Sequence, residues 1–207
     1  MTAQSKAVAA RLGIMGGTFD PIHLGHLVAA SEALHHFSLD QIIFIPAARP
    51  WQKDFYSDAE DRFLMTTFAA SSHPRFAVSR MELDRKGPTY TYETMALLRE
   101  FHGESVKLFF IVGADAVLKL GSWHGLENLR PLASLIAVGR VGHDLQALTP
   151  EEGWPEVNLM EMPPIGISST DIRERVRSGR PIDYLVPHQV AAYIREQGLY
   201  VGSHENA

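Results

Sequence analysis

Two imidazoles one helical turn apart, His23 and His26, share the run Gly16-Gly17-Thr18-Phe19-Asp20-Pro21-Ile22-His23-Leu24-Gly25-His26 with a pair of glycines. Glycine lets backbone approach a ligand closely, and a helix start leaves N–H groups unpaired, so a strand-to-helix turn at this point offers an anion a seat. Residues three apart on a helix face the same space, which sets both rings over that seat. A Gly-Gly turn or a lone His is usually only a tight turn and a satisfied side chain. The His-x-Gly-His spacing favours chemistry, because Gly25 removes a side chain from between the rings. Zinc would accept the same spacing, but no third ligand is evident, so no metal site is assigned.

The run Ile167-Ser168-Ser169-Thr170-Asp171-Ile172-Arg173 is the second chemical signal. Hydroxyls at a helix start cap N–H groups or donate to phosphate, and Arg173 on the first turn can clamp an anion already held there. Taken alone it is an ordinary capped helix; beside the histidine run, phosphate binding is favoured. Lys53, in Arg49-Pro50-Trp51-Gln52-Lys53, could follow phosphates as a cation on a loop, although a solvated surface is the usual fate of lysine. Arg62, on the next predicted helix, is read most simply as an exposed arginine. Asp115, after Gly113 and Ala114, suits ribose hydroxyls and suits helix capping equally well. Thr91 opens a predicted helix and presents a backbone N–H to a carboxylate, while Trp123, next to His124, offers a face to a cationic ring or serves as core.

The eleven residues from Gly16 to His26 closely resemble the signature of the nucleotidyltransferase superfamily. The whole chain is similar to the bacterial nicotinate-nucleotide adenylyltransferase family, with matching motifs spread from Gly16 to Arg173. That resemblance implies transfer of AMP from ATP to nicotinate mononucleotide, giving nicotinate adenine dinucleotide and pyrophosphate in NAD biosynthesis. It implies that Gly16, Gly17, Thr18, Phe19, His23, His26, Gly113, Asp115, Ser168, Ser169, Thr170 and Arg173 meet ATP. Asp20, Lys53, Thr91, Trp123 and His124 are then expected to meet the mononucleotide, and His23, His26, Lys53 and Arg173 to carry catalysis. Three positions depart from the family pattern: Gln52 stands where a His is usual, Val141 where a Pro follows the arginine at 140, and His124 where a Tyr is common. Mg²⁺ is expected to be carried by the ATP phosphates rather than by a carboxylate cage. Beside phosphates, a His whose ordinary pKa is about 6.5 has its charged form favoured.

Positioning such groups requires a scaffold, and the sequence outlines one. Short apolar runs at 12–15, 41–46, 76–83, 107–112 and 134–139, with a further short one at 157–161, read as strands. Amphipathic segments at 24–37, 58–71 and 91–101 read as helices, followed by one after Ser168 and one over 187–197 that Gly198 caps. Strand and helix alternate, which is the pattern of βαβ units around a parallel sheet. The expected fold is α/β, a Rossmann-like doubly wound parallel sheet with helices on both faces. One nucleotidyltransferase domain is expected over 1–207, with a C-terminal helical segment from about 168. Residues 47–57 and 141–155 carry the least pattern and read as loops; the first of these is expected to be ordered by ligand.

Composition narrows the function. Among 207 residues, Lys and Arg number 19 against 24 Asp and Glu, a net charge of -5, so a duplex nucleic acid gripped through many phosphates is not expected. The absence of Cys rules out thiolate metal sites and a Cys nucleophile, and fits a reducing compartment. No apolar run approaches the roughly 20 residues of a membrane helix, so a cytoplasmic protein without membrane contact is expected. A homo-oligomer is left open. The rival readings are a phosphopantetheine adenylyltransferase, which would lack the Thr91 and Trp123 features, and a non-catalytic nucleotide-binding sensor. A class I aminoacyl-tRNA synthetase fragment would need a Lys-Met-Ser-Lys-Ser run, which is missing.

Overall fold

The structure is a computed structural model, and it describes residues 11–48, 57–85, 87, 89–140 and 153–201. Gln52, Lys53 and Val141 lie outside the described residues. Among these residues six strands form one sheet: β1 (Arg11–Gly17), β2 (Gln41–Pro46), β3 (Phe76–Val78), β4 (Lys107–Gly113), β5 (Ala133–Arg140) and β6 (Val157–Met162). Their order is β3-β2-β1-β4-β5-β6, and every pairing is parallel, with Leu12 opposite Gln41 of β2 and Leu108 of β4. Strand order reverses between β1 and β4. In a doubly wound sheet the crevice outside the carboxyl ends of those two strands is where a ligand is received.

Among the described residues seven helices accompany the sheet: α1 (Leu24–His36), α2 (Ala59–Ala70), α3 (Thr91–His102), α4 (Ala114–Val117), α5 (Leu126–Leu129), α6 (Ser169–Arg177) and α7 (His188–Glu196). Successive strand residues point to opposite faces, so runs such as Ile42-Ile43-Phe44-Ile45 supply both sides at once. On one face Met15, Ile42, Phe44, Phe109 and Ile111 pack with the apolar stripes of α1, α2, α6 and α7. On the other, Leu12, Ile14, Ile43, Ile45, Leu108 and Phe110 pack with Met95 and Leu98 of α3, Leu120 and Leu129. Helices therefore cover both faces, as the alternation of elements predicts. No described helix is long and apolar enough to cross a membrane.

The third strand is shorter than the run 76–83 suggests. Ser79 makes the last ladder bond, N–H to the Phe44 carbonyl at 2.9 Å, and Asp84 N–H then turns back to the Arg80 carbonyl at 3.0 Å. Side-chain partners pull the chain out of the sheet: Arg80 pairs with Glu60 on α2 at 2.8 Å, and Glu82 accepts from Thr94 on α3 at 2.7 Å. The helices α4 and α5 and the 3₁₀ turn Leu120–Ser122 between them are too short to leave a periodic signal.

Candidate nucleotide-binding site

The loop from β1 into α1 sits at the switch point, with Gly16 and Gly17 as the last residues of the strand. Phe19 takes φ +50, a left-handed conformation that costs a non-glycine residue about 1–3 kcal/mol unless its surroundings fix it. Its buried ring meets His26 edge-on at 5.2 Å and Phe44 at 5.9 Å. His23 is the N-cap of α1 in extended conformation, and its N–H donates to His26 Nδ1 at 3.2 Å. The two rings stack with centroids 3.7 Å apart and planes inclined by 29°. A Cβ on Gly25 would stand 3.0 Å from His23 Nδ1, so the glycine is required first of all by the His23 ring.

Stacking has an electrostatic consequence. Burial, chiefly, and the neighbouring His23 charge hold the His26 pKa well below 6.5. In the absence of nucleotide His26 is therefore neutral, the reverse of what phosphates beside it would favour. Two imidazolium ions at this distance would repel strongly, so the pair holds at most one added proton at neutral pH.

Beneath the loop, Arg62 of α2 is only 1% exposed, which corrects its reading as a surface arginine. Its guanidinium donates to the Thr18 carbonyl at 2.9 Å, the Ala47 carbonyl at 2.7 Å and the Ala48 carbonyl at 3.2 Å. One side chain thus ties the β1–α1 loop to the chain leaving β2, the chain that leads toward Lys53. Burial lowers the Arg62 pKa, and the nearby Asp20 charge opposes that shift. Asp20, 2% exposed, accepts from the Tyr200 hydroxyl at 2.6 Å and from the Ser57 hydroxyl. The carboxylate thus binds its own chain through Oδ1.

Helix α6 arrives from the other side. Ser168 caps it, accepting from Asp171 N–H at 3.1 Å, while Ser169 donates to the Pro21 carbonyl at 2.9 Å. Arg173, 7% exposed, donates to the Asp20 carbonyl at 2.7 Å and to Thr170 Oγ1 at 3.3 Å. The histidine run and the Ser-Ser-Thr run, nearly 150 residues apart in sequence, are therefore joined by direct hydrogen bonds. Leu24 N–H, donating to the Leu185 carbonyl at 2.9 Å, adds the segment before α7 to the same assembly.

Across the switch point, Gly113 ends β4 and is the N-cap of α4, with Asp115 exposed in the first turn. A Cβ at Gly113 would meet nothing within 4 Å, so open space lies over this residue. On the far side of the sheet Tyr90, the N-cap of α3, lies 4.4 Å from the His124 ring, which brings the Thr91 helix start and His124 together. Trp123 meets Phe110 edge-on at 6.0 Å and packs partly against the core, giving weight to its core role. Lys53 lies outside the described residues, and nothing here places it.

Sequence reasoning missed a carboxylate. Glu82 accepts from Thr94 Oγ1 at 2.7 Å and Thr89 Oγ1 at 3.0 Å, while Arg85 pairs with Glu93 at 2.6 Å. Together these bonds fix the turn that leads into Thr91. Burial raises the Glu82 pKa, against the pull of its two threonine donors and Arg85. Tyr200 and Ser57 were missed as well; each has an ordinary local context, and only the fold brings them to Asp20. Arg62 did leave a signal, an arginine in helical register with buried Met65, and it was read the wrong way.

Among the described residues no group of three or more His, Asp or Glu could hold a metal ion. Asp20, the carboxylate inside the loop, accepts hydrogen bonds from two hydroxyls at Oδ1.

Residues 14–175 match the cytidylyltransferase-like family model. The chain is 52% identical over 192 residues to a "probable nicotinate-nucleotide adenylyltransferase" of Leifsonia xyli subsp. xyli, covering 92% of this chain and 94% of that one. A relative of the same description from Saccharopolyspora erythraea is 51% identical over 199 residues, 95% of this chain and 92% of the other. Among solved structures, the nicotinic acid mononucleotide adenylyltransferase of Plasmodium falciparum complexed with NaAD superposes with a TM-score of 0.72 at 22% identity, covering 92% of this chain and 97% of that one. At that identity the likeness concerns the fold.

Proposed function

From its membership of the cytidylyltransferase-like family, within which it belongs to the nicotinate-nucleotide adenylyltransferases, we infer how this chain divides one reaction among its residues. The activity is transfer of AMP from ATP to nicotinate mononucleotide, yielding nicotinate adenine dinucleotide and pyrophosphate. A phosphate oxygen of the mononucleotide attacks the α-phosphorus of ATP. The bond from that phosphorus to the bridging oxygen breaks, and pyrophosphate departs with the electron pair. Both reactants are anions, so the protein must hold repelling charges in line and neutralise the charge that develops on the leaving oxygens.

The stacked His23–His26 pair at the start of α1 carries this reading, because it puts two imidazole rings at the carboxyl end of β1, beside the Ser168–Arg173 run. Gly16, Gly17, Thr18 and Phe19 form the floor on which the triphosphate lies. Ser168, Ser169, Thr170 and Arg173 close it from α6, and Gly113 and Asp115 take the adenosine end. Arg173 keeps its guanidinium at the junction of the two motifs and supplies positive charge there. On the acceptor side, the helix start at Thr91, with Trp123 and His124, receives the nicotinate ring and its carboxylate. Lys53 adds a cation from the loop after β2. Asp20 acts behind the phosphates, by holding the loop in shape.

A divalent cation, Mg²⁺ in this reading, is carried in on the phosphates and screens their charge; among the described residues no group of three or more His, Asp or Glu stands ready to hold it instead. Pyrophosphate release from ATP with nicotinate mononucleotide, its amide and phosphopantetheine as acceptors tests the assignment. Release with the first acceptor is expected, and release with phosphopantetheine alone would overturn it. Folded His26→Ala is expected to lose about 100- to 1000-fold in kcat.

A further inference from the structure

At the amino ends of the strands, opposite the catalytic crevice, the described residues line an open cleft of ≈ 440 Å³. Arg11 opens β1, Lys107 opens β4, Arg130 precedes β5, and Arg99 enters from α3; all four line the cavity. Against these four cations the lining holds one carboxylate, Glu156, which accepts from Ser134 Oγ at 2.9 Å. A cleft whose walls carry one sign of charge concentrates ions of the other sign.

Two of these cations are held in place by backbone carbonyls. Arg11 Nε donates to the Phe37 carbonyl at 3.0 Å, and its guanidinium lies 4.6 Å over the Phe109 ring. Arg99 donates to the Leu132 carbonyl at 2.6 Å and the Glu104 carbonyl at 3.2 Å; its one carboxylate contact, Glu104 at 3.5 Å, is with a side chain 90% exposed. Arg99 Nε is buried and has no hydrogen-bond partner among the described residues. That nitrogen is closed to solvent, so Arg99 contributes its charge to the cleft rather than this donor.

We propose that this cavity is a second, non-catalytic anion site, formed by Arg11, Arg99, Lys107 and Arg130 for a small phosphate-bearing metabolite. Its volume lies within the range of about 300–1000 Å³ typical of small-molecule sites. Four cationic groups converging on one cleft match the several charged oxygens of a phosphate better than a single carboxylate would. The seven-residue β1 and β4 span about 20 Å, so a ligand here does not touch the reacting atoms. Arg99 belongs to α3, whose first residue is Thr91, which links this end of the helix to the acceptor side.

The test titrates inorganic phosphate into the full chain at constant ionic strength set with sodium chloride. Saturating nicotinate adenine dinucleotide fills the catalytic crevice, divalent metal is left out, and backbone amide shifts are followed. Saturable shifts at residues 106–109 and 132–134 are expected. In Lys107→Gln/Arg130→Gln, whose side chains are exposed, the phosphate midpoint is expected to rise about tenfold with phosphate-free turnover unchanged. Arg99→Gln, which removes the charge, is expected to weaken phosphate as well. Shifts confined to residues 16–26 and 168–173, or an unchanged midpoint in the double variant, would overturn the proposal.

Discussion

Tyr200 donates its hydroxyl to Asp20 Oδ1 at 2.6 Å, so the end of the described chain holds the loop that carries the histidine pair, 180 residues away in sequence. Burial first and the Asp20 charge second raise the phenol pKa, and the proton stays on oxygen throughout the working pH range. Tyr200→Phe removes this bond and leaves a buried carboxylate one donor short. A loss of about 1.5–3 kcal/mol in unfolding free energy is expected by urea titration, with a drop in kcat larger than any change in KM for ATP. Unchanged stability and unchanged kcat would remove Asp20 from its positioning role.

His26 has a folded pKa well below its unfolded value near 6.5. Below 6.5 the unfolded chain therefore binds more protons than the folded one, so stability falls as pH falls from that value toward the folded pKa. Above 6.5 the contribution is flat. His26→Gln is expected to flatten the acid slope measured between pH 7.5 and 5.5. ATP binding should also raise the His26 pKa and take up a proton, seen as a calorimetric heat that depends on the buffer's ionisation enthalpy. A buffer-independent heat at pH 6.5 would count against phosphate contact at this ring.

Glu82 has the opposite sign. Its pKa is raised above 4.5, so the folded state binds the proton more tightly, and stability falls as pH rises from that value through the folded pKa. Glu82→Gln keeps an acceptor and should remove that fall. Glu82→Ala leaves the hydroxyl of Thr94, 2% exposed, without its acceptor and should cost about 1–3 kcal/mol. The alanine variant is also expected to raise KM for nicotinate mononucleotide more than KM for ATP, because the bond secures the turn before Thr91. Equal changes in both constants would argue that Glu82 serves stability alone.

Acceptor choice follows from the α3 terminus. The N–H of Tyr90 donates to Glu93 Oε2 at 3.4 Å and that of Glu93 to the Tyr90 carbonyl at 3.1 Å, so the amides of Thr91 and Tyr92 are the ones offered to an incoming carboxylate. Loss of one charge-assisted bond, about 1.5–3 kcal/mol, corresponds to roughly ten- to a hundredfold preference for the acid over the amide in kcat/KM. Trp123→Ala should weaken both acceptors and keep most of the ratio, with some loss of stability through its contact with Phe110. A ratio near one in the wild type would dispose of the carboxylate site.

The fold was legible because its signals are local. Runs such as Ile42-Ile43-Phe44-Ile45 and Lys107-Leu-Phe-Phe-Ile-Val are too apolar for a one-sided strand, and the amphipathic segments between them demand two packed faces. Of the candidate site, both linear motifs were legible, and the structure joins them through Arg173 and Ser169. The supports beneath them were not. Arg62 has the sequence context of a surface residue, and only the approach of three carbonyls makes its burial affordable. Glu82 lies in what reads as a strand, and Tyr200 follows a helix stop; hydrogen bonds across such separations leave no periodicity to detect.

The open space over Gly113 separates two filters that act on a protein's sequence. In a library screened for folded chains alone, alanine at 113 should survive, whereas alanine at 25 should be penalised because it pushes on the His23 ring. Screened for growth that depends on the enzyme, both should disappear. A position depleted only under the second screen marks where the nucleotide, rather than the polypeptide, sets the steric limit, so paired selections on this chain would trace the outline of the bound substrate.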